Sequence, residues 1–131
     1  MAGLIAVGVG FRAATSAEAI AALVRATLAR VADMTGERAL FTSERKRDDA
    51  AIESAAKALG LPLHYLAHEQ LEAEAPRAAT RSERVERHVG LPSLSETAAL
   101  AGAGPGGVLI VARVAADGAT CAIAHRAEAN S

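Results

Sequence analysis

The chain has 131 residues and a formal net charge of -1, and 51% of it is apolar, chiefly Ala, Leu and Val. So even a balance supplies no field to recruit nucleic acid or an anionic membrane, and Phe11, Phe41 and Tyr65 are too few aromatics for base stacking. A lone cysteine, Cys121, excludes an internal disulfide, a CxxC redox motif and a Cys-rich zinc site.

The length suits one domain, expected over 1–126, with 127–131 as a flexible tail. The opening MAGLIAVGVGF lacks the basic flank of a signal sequence, and Arg12 ends it early. No run approaches the roughly 20 apolar residues of a membrane span. A cytoplasmic protein is expected.

Leu4 to Val9 is a continuous apolar run, read as a strand buried on both faces. Thr15-Ser-Ala-Glu18 has capping-box spacing, and Ile20, Leu23, Val24, Thr27, Leu28 and Val31 continue a helical stripe to about Met34. Ala39 to Thr42 reads as a second strand. The polar segment Ser43 to Asp49 leads into a helix through Ile52, Ala55, Ala56 and Leu59, which Gly60 and Pro62 end. Leu63 to Leu66 is a third strand, followed by a brief helix at Glu69 to Glu74 and a loop at Ala75 to Arg81. Ser82 caps a short helix to His88, and Ser93-Leu-Ser-Glu96 opens another to about Ala101. Val108 to Val114 and Thr120 to Ala124 form a hairpin through Asp117-Gly118. The whole predicts a single α/β domain: a mixed, mostly parallel sheet, helices on both faces, and a C-terminal β-hairpin.

Polar chemistry gathers in loops at strand ends. Gly8-Val-Gly10-Phe11-Arg12 permits close backbone approach before a helix start that suits an anion, or it simply makes the turn. It is neither a Rossmann fingerprint nor a P-loop. After the second strand, Thr42 offers a hydroxyl and Lys46 a point charge; the plainer reading is a solvated helix start. Arg77, Arg81, Arg84 and His88 can make a basic stripe, although Glu83 and Arg87 are spaced as a solvent-facing ion pair. Ser93 and Glu96 have capping to explain them. No nucleophile elbow accompanies the four histidines, and their spacing fits no metal motif, so neither metal nor cofactor is expected. Cys121 reads as a small buried hydrophobe.

In this order the pieces resemble the family of stand-alone CobE proteins and the C-terminal domain of CbiG, from cobalamin biosynthesis. The likeness lies in Gly8-Val-Gly10-Phe11-Arg12, Thr42 to Lys46 with Asp49 and the Ile52 helix, Leu59-Gly-Leu-Pro-Leu63, and Leu71. It continues through Ser82-Glu-Arg-Val85, Val89-Gly90, Ser95-Glu96-Thr-Ala98-Ala99-Leu100, Leu109-Ile-Val and Thr120 to Ala124, spanning about residues 4–124. Ala13 and Ala14 depart from it where a basic residue or glycine is expected, as does Pro92-Ser93-Leu94 before Glu96. The resemblance implies a corrinoid or precorrin ligand, edged with carboxylates, and other enzymes of that pathway as partners. Gly8, Gly10, Phe11, Arg12, Thr42, Lys46, Ser82, Ser95 and Glu96 would bind it, with Glu96 the one candidate acid or base. CbiG-type proteins open a precorrin lactone, but they are longer chains. The expected role is therefore a carrier or accessory factor; the alternatives are a hydrolase acting on a lactone or C–C linkage, and a general anion or nucleotide binder.

Overall fold

The computed structural model describes residues 3–80 and 93–127. In chain order they form β1 (Leu4–Phe11), α1 (Ala17–Ala29), β2 (Glu37–Ser43), α2 (Ala50–Leu59), β3 (Leu63–Leu66), α3 (His68–Ala73), α4 (Leu94–Ala103), β4 (Val108–Ala116) and β5 (Ala119–Arg126). The strands make one sheet in the order β3-β2-β1-β5-β4. It is parallel across β3, β2 and β1, and antiparallel across β1, β5 and β4. The expected mixed sheet with helices on both faces and a closing hairpin is present. Its parallel character belongs to one end, because β5 returns beside β1 rather than beyond β3. Ser82 and the helix expected from it lie outside the described residues, as does the tail beyond Ala127.

Alternation in β1 divides the core. Ile5, Val7, Val9 and Phe11 face α1 and α2, meeting Ile20, Leu23, Val24, Ile52 and Ala55 together with Leu40 and Ile123. The intervening residues are small. Ala6, Ala39, Ala122 and Ala124 pack with Phe41 and Leu71 against Ala98, Ala99, Leu100 and Ala103 of α4. At Gly8 the room for a side chain is gone: a Cβ there would sit 1.9 Å from the carbonyl oxygen of Ser95 and 2.5 Å from the amide nitrogen of Ala99. Helix α4 therefore lies with its backbone against β1.

Local signals place most boundaries. Asp117 and Gly118 both adopt positive φ (50° and 89°), as a tight hairpin turn requires. Gly60 caps α2 in the left-handed region, and Ser93 caps α4, its hydroxyl oxygen accepting from the Glu96 amide at 3.4 Å. Two expectations shift. The cap of α1 is Ser16, which accepts from the Ala19 amide at 3.1 Å, because the Thr15 hydroxyl donates instead to the Gly118 carbonyl at 3.2 Å. Helix α1 stops at Ala29 rather than near Met34, where the amides of Arg30 and Val31 tighten to carbonyls three residues back. Among the described residues no helix is long and apolar enough to cross a membrane.

Candidate functional site at the carboxyl ends of the parallel strands

The β1–β2 ladder ends at Gly8 opposite Phe41, leaving the later β1 carbonyls on that side without a strand partner. Side chains from the β2 side take their place. The buried Thr42 hydroxyl donates to the Val9 carbonyl at 2.7 Å, and Lys46 Nζ donates to the Phe11 carbonyl at 2.6 Å. Carbonyls that a diverging strand would orphan are thereby satisfied. Lys46 also lies over the Phe11 ring, 4.8 Å from its centroid, in a cation–π contact. It sits on a 3-10 turn, Glu44–Lys46, which Ser43 caps by accepting from the Arg45 amide at 3.1 Å.

Arg12 follows at once and is exposed; its amide donates to the Gly118 carbonyl at 3.0 Å, the oxygen that also takes the Thr15 hydroxyl. The β1–α1 loop is thus clasped to the last hairpin. Within it Ala14 adopts φ 69°, a left-handed conformation that glycine tolerates better, so the departure noted at this position carries local strain.

Gly8 and Gly10 do not open onto solvent. Gly8 abuts the backbone of α4, and a Cβ at Gly10 would meet the Thr120 hydroxyl at 2.7 Å. Ser95 is fully buried, its hydroxyl 3.5 Å from that of Ser93. Glu96 is fully buried as well. Its Oε1 accepts from the Thr80 amide (2.7 Å), and its Oε2 from the Thr80 hydroxyl (2.9 Å) and the Arg113 amide (2.9 Å). The last donor is free because β4 slips register against β5 between Val111 and Val114. Three donors offset the cost of burying this carboxylate, to which no cationic side chain bonds among the described residues. The second half of the capping box at Ser93 is therefore absent: the carboxylate that would turn back to the cap reaches Thr80 and β4.

Two groups result. Phe11, Arg12, Thr42 and Lys46 meet at the tip of β1, while Gly8, Gly10, Ser95 and Glu96 form the seam between β1 and α4. Sequence reasoning passed over Thr80, the Arg113 amide and Arg47, whose guanidinium lies 4.7 Å from the centroid of Tyr65. The scarcity of aromatics was the available signal: among the described residues each ring has a cationic or imidazole neighbour, Phe41 stacking on His64 at 5.1 Å. Away from this end, Cys121 is wholly buried, and burial pushes its thiol up to about 11 against a smaller opposing hydrogen bond from Thr27.

Residues 5–124 match the family described as Cobalamin synthesis G C-terminus. Protein CobE of Sinorhizobium sp is 37% identical over 124 residues, 94% of this chain and 80% of that protein. The crystal structure of CobE, a protein from the cobalamin (vitamin B12) biosynthetic pathway, superposes with a TM-score of 0.84 at 32% identity, covering 98% of this chain and 95% of that one. Cobalamin biosynthesis protein chiG from Agrobacterium tumefaciens str. C58 gives a TM-score of 0.70 at 36% identity, covering 95% and 99%.

Proposed function

Since the chain belongs to the cobalamin synthesis G C-terminal family, and so to cobalamin biosynthesis, we propose that it binds a carboxylate-rich corrinoid or precorrin intermediate as a carrier or accessory factor. The supporting observation is the anchoring of Lys46 on the Phe11 carbonyl, which sets its charge beside the exposed Arg12 at the tip of β1. A corrin ring carries its carboxylates around its rim, and two cations at one strand end suit such an edge. Exposed pairs contribute only about 0–1 kcal/mol each, so several must act together with apolar contact from the ring.

The disposition of Glu96 favours binding over hydrolysis. A general acid or base has to reach the proton it moves, and this carboxylate is enclosed and already accepts three hydrogen bonds. Ser95, a hydroxyl on the same helix, is buried without a base among its bonded partners in the described residues.

The test is an absorbance titration of the purified protein with cobyrinic acid, whose side-chain carboxylates are free, and with its heptamethyl ester. Saturable binding of the acid, at least about tenfold weaker binding of the ester, and recovery of unchanged corrinoid are expected. Conversion of the ligand would make the protein an enzyme. Absence of binding would refute the reading.

A further inference from the structure

The turn after β2 carries two adjacent cations that part to opposite sides. Lys46 reaches β1, where its ammonium is engaged by the Phe11 carbonyl and the Phe11 ring. Arg47 reaches β3, where its guanidinium lies over the Tyr65 ring, 4.7 Å from the centroid. One short turn thus spans the carboxyl ends of all three parallel strands.

We propose that Arg47, held over the Tyr65 ring, makes the principal contact with a ligand carboxylate, and that Lys46 is a positioning residue that fixes the tip of β1. This rests on the corrinoid-binding reading and refines which residue carries it. Lys46 is half-buried and has a carbonyl to satisfy, so removing it disturbs the strand end itself. Arg47 is exposed, and among the described residues its side chain forms neither a hydrogen bond nor a salt bridge. Contact with an aromatic ring uses none of the guanidinium's N–H groups as a conventional hydrogen-bond donor, so they stay free to grip a carboxylate through two parallel bonds.

The surroundings keep that group available. The Tyr65 hydroxyl donates to Glu53 Oε1 at 3.5 Å, which steadies the ring and gives that carboxylate a partner. The Asp49 carboxylate is committed to capping α2, accepting from the Ala51 amide at 3.0 Å. The Arg47 amide donates to the Glu44 carbonyl at 3.1 Å, so the turn holds its shape. With Arg12 at the tip of β1, cations stand at both margins of the parallel strand ends. A ligand with carboxylates spaced around a broad rim fits that spread better than a compact anion.

Cobyrinic acid is again the probe, titrated at low salt into the full chain and its variants. Arg47→Gln is expected to weaken binding by about tenfold, as for loss of a charge-assisted bidentate contact. Arg47→Lys, which keeps the charge without the fork, and Tyr65→Leu, which removes the cation–π contact, should each weaken it by about threefold. Arg45→Gln, an exposed neighbour without a cation–π contact among the described residues, should stay within about twofold, and the melting temperature of Arg47→Gln should stay within a degree or two. Lys46→Met, by contrast, should lower the melting temperature. If wild type binds while Arg47→Gln binds equally well, or if Arg45→Gln loses as much, this assignment is overturned and the binding function stands. If wild type does not bind, both fall.

Discussion

The two faces of the sheet are built on different principles. Toward α1 and α2, branched side chains such as Ile5, Val7, Ile20, Val24 and Ile123 interlock, and stability comes from apolar area, about 1.5–3 kcal/mol for each large side chain fully buried. Toward α4, alanines and glycines bring helix and strand backbones together, and Ser93, Ser95, Glu96 and Thr97 go into the interior with them. The first face is a matter of volume; the second depends on fit and on every polar group finding a partner. The contrast teaches that close backbone approach makes room for buried polar chemistry only where the donors are supplied in advance. Thr80 and the β4 bulge supply them here.

The sharpest way to break this comparison is Gly8→Ala. A Cβ 1.9 Å from the Ser95 carbonyl oxygen forces α4 off the sheet, with an expected loss of about 4 kcal/mol or more in urea unfolding, or no folded protein. Glu96→Ala comes next. It strands the amides of Thr80 and Arg113, and about 3 kcal/mol should be lost in the same measurement. On the opposite face the Cys121 thiol is raised from its ordinary 9.0 to about 11, so above pH 9 the unfolded chain gives up this proton before the folded one does. Stability from this group is full below pH 9 and falls as pH climbs toward 11, by roughly 2 kcal/mol relative to Cys121→Ala measured at the same pH values. Ile20→Val should cost least, about 1 kcal/mol, since the branched face can partly close over a lost methylene. An Ile20→Val loss greater than that of Gly8→Ala would erase the distinction.

Much of the fold could be read from residue type. Leu63–Leu66 is a strand with the expected bounds, Asp117-Gly118 makes the hairpin turn, and Gly60 and Ser93 cap the helices they flank. These are short-range effects, settled within a few residues. The division of the core was also written in β1, where Ile5, Val7 and Val9 alternate with Ala6, Gly8 and Gly10, but reading the run as uniformly apolar hid the change in size. What could not be read was long-range. Thr15 caps nothing because Gly118, 103 positions on, takes its hydroxyl. Glu96 looks like half of a capping box until Thr80 and Arg113 are seen beside it. Lys46 looks like a solvated charge, yet its partner is a carbonyl 35 residues earlier. Spacing along a chain carries no record of such meetings.

The pairing of β1 with β5, from Leu4 opposite Arg126 to Phe11 opposite Ala119, bears on how the molecule is made. The first strand of this domain sits at the centre of the sheet and waits for the domain's last strand to cover one of its flanks. Until then β1, β2 and β3 can associate only as a half-sheet with an apolar open edge, a species prone to stray pairing. Contacts of such high sequence separation make for slow folding. The final hairpin is accordingly the piece whose arrival closes the sheet, and its delay prolongs the exposure of that edge.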